Sequence, residues 1–461
     1  PLTTRWAQRW QTDVVGNGIC THTRLVHAAV PTDPATGTPR DGVVETTLRL
    51  EAGTTAKALM GKSPDVEVAL DLNAGSVGWR PTKKATMVDL VVVNQSYIER
   101  GVPWTGPTYA DGTCQLVTYA DGTPGRWNLI TPRFGARSGL VVGSTGSGKS
   151  RALGVLVRNL IEGGWMVVVG DPQEGQSLPD WQDVTSEYHD SPEAVGRVIR
   201  RVHAEARARS RMLAEARVTV FDPADPRVQA LGLRPLMLVI DECQDVFTSA
   251  NDQIVELARG IAATGRKAGV AMTCATQIPQ LTSLGGSQPF RDALVAGGCW
   301  IGQINNAGSA ATILPPNFVG DPFSIPPEID GVPTAGMGYL RYGPRVGMLS
   351  RVPHMDEAAE AAICADPEFR RVRNLGPVEW LVPEPASDDA SATNGNGNDD
   401  QIDKIRQMFG LPAAPAPADP RAWILTRLSA SPIAPKGLLV QSDCPVAKSR
   451  LYEVLIEMET A

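Results

Sequence analysis

A glycine-rich stretch, GSTGSGKS at positions 143–150, has the residue types and spacing of a phosphate-binding loop. Gly143, Gly148, Lys149 and Ser150 fit the pattern G-x-x-x-x-G-K-[ST], in which backbone N–H groups surround a phosphate at the start of a helix. Lys149 would reach the β- and γ-phosphates of a nucleotide, and the Ser150 hydroxyl would bind Mg²⁺. The pattern predicts an ATP site whose phosphate-binding residues are Gly143, Ser144, Thr145, Gly146, Ser147, Gly148, Lys149 and Ser150.

Two adjacent acids follow an apolar run in LMLVIDECQDVF, residues 236–247. Side chains alternate along a strand, so Asp241 and Glu242 would point in different directions and could have different roles. We expect Asp241 to help bind Mg²⁺ and Glu242 to act on the water that attacks the γ-phosphate. The alternative is a pair of solvated acids at the end of a strand.

A third polar position follows the run VAMTCATQ, residues 270–277. In a parallel sheet, Gln277 would lie at the same carboxyl edge, where ligands bind in this class of fold. It could orient water or sense the γ-phosphate, and a simple loop residue is equally compatible with the sequence. Lys149, Glu242 and Gln277 are therefore the candidate catalytic residues, and Ser150 and Asp241 are the candidate Mg²⁺ ligands.

The elements that must position these residues are apolar strands separated by helical stretches. The runs GLVV, WMVVVG, VTVF, LMLVID, VAMTCAT and CWIG, between residues 139 and 302, predict a mainly parallel sheet with helices on both faces. The fold class is thus α/β. Residues 1–130 alternate strands such as VVETTLRL and VDLVVV with turns, which predicts a separate small α+β domain before the core at 131–382.

Composition limits the classes of protein that this chain can belong to. A net charge of −7 over 461 residues argues against uniformly basic nucleic-acid binding, so any such contact must come from local patches. Seven scattered cysteines without a Cys-x-x-Cys pair indicate a reduced, cytoplasmic protein without structural zinc. No apolar run approaches the roughly 20 residues that span a bilayer. Because the sequence begins at Pro1, the presence of membrane segments upstream stays an open question.

The C-terminal residues predict a tethered module. Residues 383–420 contain the low-complexity stretches PEPASDDASATNGNGNDD and PAAPAPADP, which are typical of a flexible linker. Residues 421–461 divide into three helical stretches, the last with an apolar stripe. This pattern favours a winged-helix or helix-turn-helix module, with a small protein-docking domain as the alternative. The polar side of its last helix supplies the candidate DNA contacts Lys448, Ser449, Arg450 and Tyr452.

Several short segments together resemble the FtsK/SpoIIIE family of DNA-pumping ATPases. They are GSTGSGKS (143–150), GDPQEGQSL (170–178), VIDECQD (239–245), ATQ (275–277) and GMGYL (336–340). Within that family the chain looks most like the TraB-type conjugative translocases of actinomycetes. The resemblance implies a RecA-like P-loop NTPase motor that uses ATP and Mg²⁺, forms a homohexameric ring and moves double-stranded DNA in conjugative transfer. It also leaves open an association with the cytoplasmic face of the cell membrane.

The sequence departs from that family near the end of the core. Many of these motors have an arginine just before a Thr-Ile-Leu run, whereas Ala310 and Ala311 stand there in this chain. If that arginine acts on a neighbouring active site, another residue must replace it, and Arg266 and Arg291 are the candidates. Arg291 also lies in PQLTSLGGSQPFRDAL (279–294), which we expect to be a DNA-contacting pore loop. The arginine-rich helix at 197–218 either packs on its neighbours or follows DNA.

Other functions are compatible with the same residues. A chromosome-segregation motor would share every motor residue. A protein-secretion ATPase would share the fold, although the single phosphate loop counts against it. A DNA-binding regulator with a purely structural ATPase core is a third alternative, from a different class of protein.

Overall fold

The structure, a computed structural model, describes residues 2–33, 36–248, 252–278, 280–305, 312–314, 318–365 and 380–384. The chain divides into two units, Pro1–Pro385 and Ala386–Ala461. The predicted C-terminal module, with Lys448, Ser449, Arg450 and Tyr452, lies outside the described residues, as does the linker from residue 385 onward. Of the helices in the described part, none has the length and apolar character that crossing a bilayer requires.

The first hundred residues form a small antiparallel sheet with short helices. Its strands are β1 (Thr23–Ala29), β2 (Val43–Leu50), β3 (Val77–Pro81) and β4 (Met87–Val93), in the order β1-β2-β4-β3. The helices are α1 (Leu2–Arg9), followed by a π-helix (Trp10–Val15), α2 (Ala56–Met60) and α3 (Ser63–Ala69). The sheet and helices share a core that includes Trp6, Trp10, Leu48, Val66 and Trp79. The strands predicted in VVETTLRL and VDLVVV are confirmed.

A second, ten-stranded sheet forms the main body of the described chain. In sequence order its strands are β5 (Thr113–Tyr119), β6 (Pro124–Asn128), β9 (Gly139–Val142), β10 (Met166–Gly170), β11 (Glu187–His189), β12 (Leu236–Ile240), β13 (Val270–Thr276), β14 (Cys299–Gly302), β17 (Met337–Leu340) and β18 (Ser350–Arg351). Two short pairs lie outside it: β7 (Ile130–Thr131) with β8 (Gly135–Ala136), and β15 (Glu328–Ile329) with β16 (Val332–Pro333).

The large sheet is mixed: the predicted runs that form strands pair in parallel, and an antiparallel extension that was not predicted adjoins them. The order is β11-β10-β12-β13-β9-β14-β17-β18-β5-β6. Pairing is parallel from β11 to β14 and antiparallel from β14 to β6. Apart from the edge strand β11, the parallel half consists of mostly apolar, fully buried runs, as expected for strands covered on both faces. Strands β5 and β6 fall within the predicted domain 1–130 but bond into this sheet.

The helices of the main body connect these strands. They are α4 (Lys149–Glu162), α5 (Pro192–Glu215), α6 (Pro226–Ala230), α7 (Gln244–Phe247), α8 (Asp252–Thr264), α9 (Gln288–Val295) and α10 (Glu357–Ala365). The start of α5 shows how the sequence sets a boundary, because Ser191 accepts a hydrogen bond from the Ala194 N–H and Pro192 occupies the first turn.

The apolar run VTVF (218–221) is not a strand, so that prediction is wrong. Arg217 adopts a left-handed backbone (φ 56) just after α5, and α6 begins only at Pro226. The run is therefore a short connection, whose Val218 and Phe221 are buried and whose Phe221 N–H donates to the Lys267 carbonyl over 2.9 Å. The edge of the sheet is formed instead by β11.

The arginine-rich helix α5 packs on its neighbours through at least part of its length. Arg209 is buried, pairs with the buried Glu205 at 2.8 Å and donates to the Arg234 carbonyl at 2.6 Å. Arg201 lies over the Trp380 ring, 4.3 Å from its centroid. These contacts favour the packing interpretation of this helix over a continuous DNA-following stripe.

Candidate functional site

The phosphate-binding loop lies between β9 and α4, and β9 is flanked by β13 and β14 inside the parallel half of the sheet. Gly148, which precedes α4, has a left-handed backbone (φ 97), and a Cβ built on it would lie 2.5 Å from the Gly336 nitrogen. Only glycine suits this position. The Gly336 N–H also donates to the Ser147 carbonyl at 2.7 Å, so the GMGYL segment supports the loop directly.

Lys149 and Glu242 form a buried ion pair next to the loop. Lys149 is 5% exposed, and its Nζ lies 3.4 Å from Glu242 Oε1 and 3.4 Å from the Ser144 carbonyl oxygen. Glu242 is the second residue after β12 and has a left-handed backbone (φ 42), which is uncommon for a residue with a Cβ. That turn brings its carboxylate to the phosphate loop at the carboxyl edge of the sheet.

Ser150 and Asp241 form the second contact between the loop and β12. The Ser150 hydroxyl donates to Asp241 Oδ2 at 2.9 Å, and Asp241 Oδ1 accepts from the Glu242 N–H at 2.9 Å. Asp241 is fully buried. Burial, followed by the neighbouring Glu242 charge, raises the pKa of Asp241 to about 6.

Gln277 completes the group of predicted site residues at this edge. Its Oε1 accepts a hydrogen bond from the Thr145 hydroxyl at 2.6 Å, and its backbone N–H donates to Glu242 Oε2 at 3.2 Å. The end of β13 therefore contacts both the phosphate loop and Glu242. The structure brings Gln277, Lys149, Ser150, Asp241 and Glu242 together, while their catalytic and binding roles stay predictions.

These residues fit a nucleotide and Mg²⁺. A Cβ on Gly146 would meet nothing within 4 Å, so the loop leaves open space there. Among the described residues, Ser147 Oγ is buried without a hydrogen-bond partner. The first N–H groups of α4 have no partners within the helix, and the helix dipole favours an anion at this end. The Ser150 hydroxyl and the Asp241 carboxylate are the hard oxygen donors that Mg²⁺ prefers.

Sequence reasoning missed three polar residues that build this edge. Gln244 Nε2 donates to Glu242 Oε2 at 2.9 Å, and Gln244 Oε1 accepts from the Thr276 hydroxyl at 2.8 Å. Asp171, fully buried after β10, accepts from the Ser177 N–H at 2.7 Å and from the Tyr188 hydroxyl at 3.2 Å. Of these three residues, only Asp171 could have been found from the sequence, because it directly follows an apolar strand. An acid in that position is costly to bury unless it is hydrogen-bonded, so it indicates a specific role.

The structure corrects the expected setting of Arg291. Residues 288–295 are helix α9 rather than part of a flexible loop, because Ser287 caps the helix by accepting from the Phe290 N–H at 3.3 Å. Arg291 is 6% exposed and donates to the Thr312 carbonyl and to Asp292. In this setting the guanidinium is engaged by contacts within its own chain, and the DNA-contacting and neighbouring-site roles of Arg291 stay predictions.

Arg266, the other arginine considered for a neighbouring site, lies in a 3₁₀-helix (Gly265–Ala268) just before β13. This is the amino end of the strand, opposite the edge that carries the phosphate loop. Its Nη1 donates to the Phe134 carbonyl at 2.8 Å. Arg266 is therefore remote from the candidate site of its own chain.

Comparisons with known proteins identify the fold. No protein-family model matches the chain, and no curated protein does. Among solved structures, the chain is similar to the pCW3 conjugation coupling protein TcpA in its monomer form with ATPγS. The two share 14% identity and a TM-score of 0.50 over 80% of this chain and 99% of that chain. The chain therefore has the fold of TcpA.

Weaker likenesses extend to secretion ATPases. EssC (ATPases 2 and 3) from Geobacillus thermodenitrificans is 13% identical, with a TM-score of 0.46 over 62% of this chain and 53% of that chain. The cytoplasmic domain of the Thermomonospora curvata type VII secretion ATPase EccC is 20% identical, with a TM-score of 0.43 over 62% and 33%. Both TM-scores lie below 0.5, so they add nothing to the fold assignment.

Proposed function

We propose that this chain is a P-loop ATPase that moves double-stranded DNA in conjugative transfer, as a member of the FtsK/SpoIIIE family of TraB type. The observation that carries the proposal is the convergence of Lys149, Ser150, Asp241, Glu242 and Gln277 at one edge of the sheet. The fold shared with TcpA, a conjugation coupling protein, and the segments that resemble the family support it.

The geometry supports a proposed task in hydrolysis for each side chain. Backbone N–H groups of residues 144–150 would bind the phosphates, and Lys149 would neutralise charge on the β- and γ-phosphates. Ser150 and Asp241 would hold Mg²⁺, which supplies positive charge to the phosphate oxygens when it is bound. Glu242 would take the proton of the attacking water, and Gln277 would orient that water or contact the γ-phosphate.

The proposed partners are double-stranded DNA and further copies of the chain in a homohexameric ring. Because the chain carries a net charge of −7, DNA must meet a local basic surface inside such a ring. Arg266 is the candidate for an arginine that reaches the neighbouring active site, since it lies away from the phosphate loop of its own chain.

ATP hydrolysis with and without duplex DNA tests the proposal. We expect duplex DNA to stimulate hydrolysis by the wild-type chain. Lys149→Ala should abolish hydrolysis because it removes the charge that faces the phosphates, and Glu242→Gln should bind ATP without cleaving it. Wild-type rates in E242Q would contradict the role of Glu242. Hydrolysis that duplex DNA leaves unchanged would contradict DNA translocation and favour a secretion ATPase.

A further inference from the structure

The backbone of Glu242 is held in an unfavourable conformation. A left-handed backbone (φ 42) at a residue with a Cβ costs about 1 kcal/mol or more, so the surrounding contacts must maintain it. Glu242 Oε1 lies 3.4 Å from Lys149 Nζ. Glu242 Oε2 accepts from Gln244 Nε2 at 2.9 Å and from the Gln277 N–H at 3.2 Å.

Both polar atoms of the Gln244 side-chain amide are hydrogen-bonded. It is 2% exposed and is the first residue of α7. Its Nε2 donates to Glu242, and its Oε1 accepts from the hydroxyl of Thr276, the fully buried last residue of β13. A buried amide whose donor and acceptor are both satisfied has little freedom to rotate. Gln244 therefore links the end of β13 to one carboxylate oxygen of Glu242.

We infer that Gln244 is a positioning residue for ATP hydrolysis, which acts by holding the Glu242 carboxylate in the orientation needed to accept the proton of the attacking water. The inference rests on the proposed function. Within the described residues, no hydrogen bond joins the Gln244 side chain to the phosphate loop or to Asp241. The loss of its amide should therefore slow the chemical step and leave nucleotide binding in place.

The direct test replaces Gln244 by methionine, which has a similar length and no amide. In steady-state ATPase assays, Q244M should lower kcat by about tenfold or more, with KM for ATP and the affinity for a fluorescent ADP analogue unchanged within about twofold. The control is Gln115→Met in β5, because Gln115 is half-buried, less than Gln244, and its Nε2 donates to the Thr118 hydroxyl at 2.9 Å, away from the site. Q115M should keep the wild-type kcat.

A second variant tests the route through Thr276. Thr276→Val keeps the shape of the side chain and removes the hydroxyl that binds Gln244, so it should lower kcat in the same direction. Both changes remove the hydrogen bond between Thr276 and the Gln244 amide. The double variant Q244M/T276V should therefore have the kcat of Q244M, and the fold-losses in kcat of the two single variants should not multiply. T276V also carries the test if Q244M does not fold.

Two results would overturn the inference. The first is a kcat within about twofold of wild type in both Q244M and T276V. The second is a fall in kcat that is accompanied by a clear loss of nucleotide affinity and by a lower melting temperature. Such a result would indicate a merely structural role. Failure of the proposed function is distinguishable, because wild-type protein would then not hydrolyse ATP or K149A would remain active.

Discussion

At the scale of single residues, Asp241 combines a costly location with a proposed functional task. Its carboxylate is fully buried, and its pKa is raised to about 6 by burial and by the charge of Glu242. Without a bound cation, this raised pKa therefore means that the charged Asp241 lowers the free energy of unfolding. The full loss is reached above about pH 6. Buried groups that reduce stability in this way are common where a site must bind an ion.

Asp241→Asn should abolish ATPase activity and raise the free energy of unfolding. The neutral amide removes a buried charge, so at pH 8 without Mg²⁺ and nucleotide it should stabilise the fold by about 3 kcal/mol. As the pH falls from 6 to 4.5, wild-type Asp241 becomes protonated in the folded state and the difference should shrink to about a third, vanishing only below about pH 3.8. Thermal unfolding at pH 8 and pH 4.5 measures both effects, and ATPase assays should show that D241N is inactive. A lower melting temperature for D241N at pH 8 would contradict this account.

The sequence predicts some of these residues and not others for a physical reason. Lys149, Ser150 and Asp241 belong to local patterns whose chemistry depends on their immediate neighbours, so spacing alone identifies them. Gln244 looks like any amide in a first helical turn, and only the packing of β13 beside β12 brings Thr276 to it. For Arg291 the local signal was present, because Ser287 and Pro289 form a helix start that a glycine-rich loop interpretation overlooks.

At the scale of elements, one arginine joins the small sheet to the large one. Arg345 Nη2 lies 2.7 Å from Glu45 in β2, and its Nε lies 2.7 Å from Asp121, which follows β5. Asp121 is fully buried and Arg345 is 6% exposed. Residues Trp79 and Val346 add reciprocal backbone hydrogen bonds of 2.9 Å between the two parts. The joint therefore depends on a buried charge network.

Arg345→Met should destabilise the protein strongly because it leaves Asp121 buried without its charged partner. Removing one member of a buried pair costs about 3–5 kcal/mol. Arg80→Met is the control, since Arg80 is half-exposed and pairs with Asp89 at 2.8 Å on the surface of the small sheet. Its loss should cost about 1 kcal/mol or less. Urea unfolding compares the two variants, and equal losses would contradict a special role for the buried network.

Whether a strand could be predicted from the sequence depended on whether its signal lies within the strand itself. The parallel strands other than β11 were predictable because each is a mostly apolar run that is fully buried. The antiparallel extension was not, because β17 and β18 pair with strands from other parts of the chain and are only two to four residues long. The same limitation explains VTVF, whose apolar residues fill the core without joining a sheet.

At the scale of the whole molecule, the chain divides into a large unit that contains the candidate ATP site and a C-terminal unit. The division falls between Pro1–Pro385 and Ala386–Ala461. The sequence predicts a linker at 383–420, because these residues are rich in Asp, Asn, Gly, Pro and Ala. We therefore expect residues 421–461 to select DNA independently of the motor, as a loading or targeting module.

Removal of residues 421–461 should separate DNA selection from hydrolysis. The truncated chain retains the phosphate loop and Glu242, so stimulation of its ATPase by generic duplex DNA should remain largely intact. Its preference for a cognate sequence over a scrambled one should disappear, and Lys448→Ala with Arg450→Ala should act in the same direction because a base contact contributes ~1–3 kcal/mol of discrimination. Competition binding at fixed salt compares the full chain, the truncation and the double variant. If the full chain and the truncation prefer the cognate duplex equally, residues 421–461 do not select DNA, and protein docking becomes their better-supported role.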